Sequence, residues 1–284
     1  MGDNELGLFL RVHREAVSPA EVGLPAGPRR RVRGLRRSEV AALAGVSVEY
    51  VTRLEQGRDR QPSSQVLSAL ADALRLTVSE RVHLHRLTKA ADPTFNCRGV
   101  GGPARTVRAT VRLLLDRLEP TPAVLLNRLA DVVAHTEGYD HLARPLGLLD
   151  ATEPNLARFV FTDTRAREVF PDWQQVADEQ VAALKQGPFR AQPAMAALAD
   201  ELTVTAGDAF THRVATVPGL ARGSGVQRVH HPEAGVLRLA YETLELPADD
   251  DERLVVYLPA DEPTAAALHA LTAAPPRALR LVQP

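Results

Sequence analysis

The sequence predicts a multi-domain chain: an all-α front of five short helices, then an α+β back with an antiparallel sheet. Three observations carry this. Apolar residues recur at helical spacing in short segments between Glu5 and Ala91. A stretch dense in proline and glycine, ADPTFNCRGVGGPA, then interrupts the pattern. Beyond it, helical stretches are joined by β-branched runs of period two with tight turn residues. The boundaries follow as a domain over 1–91, a linker over 92–105 and a second domain over 106–284.

In the front part, Glu5 to about Val17 places Leu6, Phe9, Leu10 and His13 on one side of a first helix. Pro19, Gly23, Pro25, Gly27 and Pro28 make a loop ending in RRRVR, an arm fit to lie along phosphates or enter a minor groove. From Arg36, SEVAALA brings Val40 and Leu43 to one face of a second helix. Gly45 ends it, since no Cβ hinders a left-handed turn there. Val46 plugs the corner, Ser47 is a good N-cap, and a third helix runs from Val48 to about Gln56. Its buried side holds Val51 and Leu54; Val48, Glu49, Thr52, Arg53 and Gln56 form one continuous outer stripe. Ser63 caps a fourth helix with Val66, Leu67, Leu70 and Leu74 inward. Thr77-x-x-Glu80 is a capping box that opens a fifth through Leu84 and Leu87.

Short helix, glycine turn, short helix with a polar outer stripe: this is how a helix-turn-helix presents a recognition helix to the major groove. Arg36, Arg37 and Arg58 flank it and are placed to meet phosphates, which gives affinity without sequence information. Arg53 and Thr52 are placed for base edges, Glu49 for a cytosine amine and Val48 for a thymine methyl, with Ser47 and Gln56 completing the set. The bland alternative is an alanine-rich helical hairpin with solvated arginines; turn glycine, stripe and charge together favour double-stranded DNA. A homodimer is expected, because one short helix reads few base pairs and two half-sites ~34 Å apart multiply specificity.

Bulk properties agree. At 284 residues, with 45% hydrophobic and 24% charged content, the chain has room for two soluble domains. No apolar run approaches the ~20 residues of a membrane span, and MGDNELGLFLRVHRE is no signal peptide. The lone Cys97 excludes an internal disulfide and any cysteine-based zinc site, so a cytoplasmic, nucleoid-associated protein is expected. Residues 1–91 hold 15 basic and 10 acidic side chains, the remainder 19 and 25. A basic front and an acidic back suit a polyanion-binding module joined to one that does not bind polyanions.

In the back part, Val107, Val111, Leu114, Leu115 and Leu118 mark a helix, and AVLLNRLADVVAHT two short strands around a turn. Gly138 to Leu142 is a short helix or loop, and Leu156 to Phe161, Trp173 to Leu184 and Ala194 to Leu202 are helical. Thr203 to Gly225 carries too little pattern to place. Val226 to His230 and Val236 to Leu246 form a hairpin closed by Gly235, with Leu237, Leu239 and Tyr241 on its buried face. RLVVYLP is a third strand before a closing helix from about Thr264 to Thr272.

No Walker loop, GxGxxG, HExxH or GxSxG occurs, so neither an enzyme nor a cofactor is expected. His83 and His85 fall on different faces of a helix, and His230 and His231 on opposite faces of a strand, which makes metal pairs poor.

The segments GLR, VAALAGVS, YVTRLEQGR and PS..VL.AL resemble the helix-turn-helix of Xre/Cro-like bacterial repressors. With LNRLADVVAHTEG, FTDTRARE.FPDW and VHHPEAGVLRLAYETLELP, nearly the whole chain resembles the MmyB-like regulators, in which that unit precedes a ligand-binding domain of PAS-like fold, which implies an antiparallel meander with helices packed on one side. One departure is Ser38, where such regulators usually carry an acidic residue; Ser38 still serves as a cap or phosphate contact. The resemblance implies a one-component repressor with a mostly apolar pocket suited to a small hydrophobic, fatty-acid-like ligand. That pocket is expected between the sheet and the helices, with Phe159, Phe161, Trp173 and Leu184 facing Leu125, Leu239 and Tyr241, and Arg228 or His230 meeting a head group. The alternative is a DNA-binding regulator whose back domain is a protein-interaction or dimerisation module without a ligand.

Overall fold

Local capping sets where the front helices begin in the computed structural model, which describes residues 4–25, 33–59, 61–90, 106–186, 193–246 and 252–273. The arm over 29–32, the linker over 92–105 with Cys97, and the break over 187–192 lie outside the described residues. The Asn4 side chain accepts from Gly7 N (3.1 Å) and opens α1 (Glu5–Ala16). A 3₁₀ turn, Pro19–Val22, precedes α2 (Arg37–Ala44) and α3 (Val48–Glu55). Ser63 caps α4 (Ser64–Ala73) through Val66 N at 3.4 Å. Thr77 and Glu80 close the reciprocal box of α5 (Val78–Ala90), with Thr77 N donating to Glu80 Oε2 (2.6 Å) and Glu80 N to Thr77 Oγ1 (3.4 Å).

These helices bury Phe9, Leu35, Val40, Leu54, Leu70 and Leu84 in one core. Leu43 departs from expectation at 40% exposed. The inward arc of α2 runs through Val40, Ala41 and Ala44, and Leu43 sits at its rim.

The rest of the chain forms α6 (Ala109–Leu118), β1 (Ala123–Leu126), β2 (Val132–His135), α7 (Glu137–Ala143), α8 (Leu156–Thr162), α9 (Ala166–Val169) and α10 (Trp173–Leu184). There follow α11 (Pro193–Ala206), α12 (Asp208–Thr216), β3 (Ser224–His231), β4 (Gly235–Leu246), β5 (Glu252–Pro259) and α13 (Glu262–Ala273). The strands make one antiparallel sheet in the order β2-β1-β5-β4-β3. Gly235, at φ +69°, takes the left-handed backbone that closes the β3–β4 turn.

Helices cover both faces of this sheet rather than one. Val111 and Leu115 of α6 pack on Ala123, Leu125 and Leu254, while the alternate residues face α7, α8 and α10. The stretch that resisted reading, 203–225, contains α12, whose buried side chains are Phe210 and Arg213. So short an apolar stripe leaves little periodic signal.

The chain forms two compact units, residues 1–100 with 181–221 and residues 101–180 with 222–284. By its contacts 181–221 groups with α1–α5 in the first of these units. Lys185 is a tie within that first unit. Fully buried, its Nζ donates to Val214 O (2.8 Å) and lies 2.9 Å from Glu5 Oε1. Leu220 packs on the same core.

His83 gives this unit an acid limit. Burial above all, then the positive surroundings of Arg86, His13 and Lys185, holds its imidazole down to about 4. An unfolded histidine titrates near 6.5. The folded form therefore resists a proton that the unfolded chain accepts, and stability present above about pH 6.5 is lost as pH falls toward about 4. Urea unfolding followed by circular dichroism should show about 2–3 kcal/mol less stability at about pH 4.5 than at 7, and His83→Phe should remove most of that difference.

Candidate nucleic-acid interface and ligand cavity

The α2–α3 corner is built from local chemistry upward. Arg36 N donates to Glu39 Oε2 (2.6 Å), which holds the start of α2. Gly45 ends that helix at φ +66°, and Ser47 Oγ accepts from Tyr50 N (3.0 Å) to start α3. Val51 and Leu54 are buried, whereas Ser47, Val48, Glu49, Arg53, Gln56 and Arg58 are exposed, together with Arg36 and Arg37. Thr52 is half-buried, and its hydroxyl donates to Val48 O (2.8 Å), so that donor is already engaged. The Arg53 guanidinium lies 5.6 Å over the Tyr50 ring, a cation–π contact that steadies it at the surface.

The far end of α3 is fixed by a buried charge that sequence reading did not single out. Glu55, 1% exposed, accepts from Arg14 Nε (2.6 Å) and Nη2 (3.3 Å) and from Arg37 Nε (2.8 Å). Arg14 also donates to Leu35 O at 2.9 Å. One carboxylate thereby ties α1, α2 and α3 together. Arg37 keeps 43% of its side chain exposed, leaving its terminal nitrogens for a phosphate. The signal lay in the helical phase, since Glu55 follows Val51 by four residues and so shares its inward face.

In the second unit, α7, α8, α10 and strands β3–β5 surround an empty volume of about 480 Å³, counted to its open mouth. Its walls are mostly apolar, with Leu142, Leu146, Leu156, Val160, Phe170 and Leu239 among them. Polar groups are few: Gln180, Gln227, Tyr139 and Tyr257. The Tyr139 and Tyr257 rings stack with centroids 6.0 Å apart. Burial raises both phenols, Tyr257 to about 12, so they stay neutral hydrogen-bonding groups. Gln180 Oε1 is buried with no hydrogen-bond partner among the described residues. An acceptor left unsatisfied beside an apolar space is costly unless a bound molecule supplies a donor.

Of the residues that sequence placed around a pocket, Leu239 lines this cavity. Tyr241 is on the same sheet face, raised by burial and then by the Glu179 carboxylate. Phe159 meets Phe170 edge-on, Phe161 meets Trp173 edge-on, and Trp173 Nε1 donates to Val160 O (2.8 Å). These three rings are packing within the helical layer. Leu125 faces α6 on the other side of the sheet, and Leu184 belongs to the first unit.

Arg228 is exposed and held by Asp172 at 2.6 and 2.5 Å, and His230 is exposed. Strand phase explains both: Gln227 and Val229 point into the cavity, so Arg228 and His230 point away. Gln180 and Gln227 escaped the sequence reading. The available signal was Val176 and Gln180 four apart on one helix face.

Among the described residues no helix is long and apolar enough to cross a membrane. The family model of the MmyB-like transcription regulator ligand binding domain matches residues 107–271, and that of a helix-turn-helix domain matches residues 5–84. No curated protein matches the chain.

Proposed function

We propose a function from one premise: the chain belongs to the MmyB-like transcription regulators. It acts as a one-component repressor, reading DNA as a homodimer through the outer stripe of α3 and releasing it when a small apolar molecule enters the cavity. The observation that carries the sensing half is the partnerless Gln180 acceptor beside an apolar space. An acyl chain with a polar end suits those walls. The protein works on the nucleoid in the cytoplasm, without catalysis and without a resident cofactor. A ligand that binds one arrangement of the chain more tightly shifts the population competent for DNA, and only its differential affinity can do so.

The test begins with genome-wide mapping of bound sites, followed by fluorescence anisotropy on those fragments. Saturating medium-chain fatty acid or alcohol should change DNA affinity by about fivefold or more. Val160→Phe, which fills the cavity, should leave unliganded DNA binding intact and abolish the response. If neither probe alters DNA affinity, sensing fails and the interaction-module alternative takes its place.

A further inference from the structure

Side chains alternate along β3, β4 and β5, so Gln227, Val229, Leu239 and Tyr257 face the cavity and the residues between them face the side that carries α6. On that side α6 packs over Ala123, Leu125 and Leu254. The half of the face on β3, β4 and the end of β5 is bare: Val226, Val236, Leu244 and Leu258 are 46% to 59% exposed. Val226, Ala240 and Leu258 stand in one cross-strand row at its centre. Large apolar side chains left exposed together mark a surface that something covers. The order of residues along β4 says what. To one side of Ala240 come Arg238 and then Val236, and to the other Glu242 and then Leu244, all on this face. The strip reads apolar, positive, small, negative, apolar, so reversing it only exchanges the two charges. The next strand agrees, with Arg228 beside Arg238 and Ser224 beside Glu242. Arg228 is engaged by Asp172, but Arg238 gives Nη1 to Asp261 Oδ2 (3.2 Å) and keeps 56% of its side chain exposed. Glu242 is exposed and, among the described residues, makes neither a hydrogen bond nor an ion pair.

We propose that this bare half-face joins two copies of the chain, packed face to face about a twofold axis that crosses the strands at Ala240. Such an axis sets β4 of one copy antiparallel over β4 of the other, within about 30° as the twist of packed sheets requires. Residues two apart on a strand are ~7 Å apart, so Arg238 and Glu242 lie at equal distances from the axis. Arg238 then meets the partner's Glu242, Glu242 meets the partner's Arg238, and Val236 packs on the partner's Leu244. Ala240 is small enough to let the two sheets close at the centre. Any parallel arrangement sets Arg238 against its own copy, and like charges in an interface are strongly disfavoured. This assignment rests on the homodimer of the proposed function and adds the surface that forms it.

Sedimentation equilibrium of the full chain without DNA tests it, with circular dichroism to verify that each variant folds. Ala240→Arg should raise the dimer Kd about tenfold or more, since it sets two cations on the axis. Arg238→Glu and Glu242→Arg should each do the same, because each alone turns both ion pairs into like charges. Mixed in equal amounts, those two variants should dimerise again as a heterodimer, in which both pairs are restored with opposite signs. If the unaltered chain dimerises and all three variants dimerise as well as it does, this face is overturned while the homodimer stands on another surface. A mixture that stays monomeric also overturns the assignment, since the pairing of Arg238 with Glu242 is then wrong. If the unaltered chain is a monomer at every concentration, the homodimer itself falls and takes this face with it. Should a charge reversal fail to fold, Ala240→Arg decides alone.

Discussion

Glu55→Ala is expected to lower the stability of the helix-turn-helix unit by about 3–5 kcal/mol, the usual cost of removing one partner from a buried ion pair. The residue is 1% exposed and accepts from two arginines, one of them, Arg14, itself 7% exposed. Truncation leaves Arg14 as a buried cation with Leu35 O and the exposed Glu15 carboxylate as its remaining acceptors. Glu55→Gln keeps an acceptor for one guanidinium and should cost less. Equilibrium urea unfolding measures both. A loss below about 1 kcal/mol for the alanine variant would mean that α3 is held by its apolar face alone.

Arg36→Ala and Arg58→Ala should each weaken binding to all DNA sequences alike and reduce the slope of log affinity against log salt by about 1. Both side chains are exposed at the flanks of the corner. Arg53→Ala should instead change which sequence is preferred, by about 1–3 kcal/mol at one base pair. Thr52→Ala should change it less, because the hydroxyl proton is already given to Val48 O. Arg37→Ala differs from both classes, since it also removes a donor from Glu55 and so costs stability. Anisotropy titrations on a mapped site and on scrambled DNA, each over a salt series, separate these effects. Identical behaviour of Arg53→Ala and Arg58→Ala would refute the division between base reading and phosphate contact.

What could be read from sequence was whatever is decided within a few residues. Ser47, Ser63 and the Thr77–Glu80 box announced helix starts because a cap satisfies backbone donors three positions away. Gly235 announced the hairpin because its turn demands a left-handed backbone. The exposed stripe of α3 was legible for a similar reason, since helical phase alone separates Val51 and Leu54 from Arg53 and Gln56. What depends on partners far along the chain was not. The burial of Glu55, Lys185 and Arg253 is invisible without the elements that enclose them, since each residue type is ordinarily solvated. The cavity wall was hard for another reason. A strand's phase gives two faces but not which one meets α10, and α6 on the opposite face drew Leu125 away from the cavity.

The compact unit that holds the helix-turn-helix is discontinuous along the chain, and that has a consequence for how the protein is made. The ribosome delivers α1–α5 first, then the whole of 101–180, and only afterwards Lys185 and α12. Until those residues emerge, Glu5 lacks the buried ammonium it faces in the finished molecule. Domains generally fold as units during synthesis, yet here the buried Lys185–Glu5 tie cannot be complete before the chain has passed residue 217, whose carbonyl accepts from that lysine. A nascent chain released early carries the arginines of the corner without that tie, which forms only on chains that already hold residues 101–180.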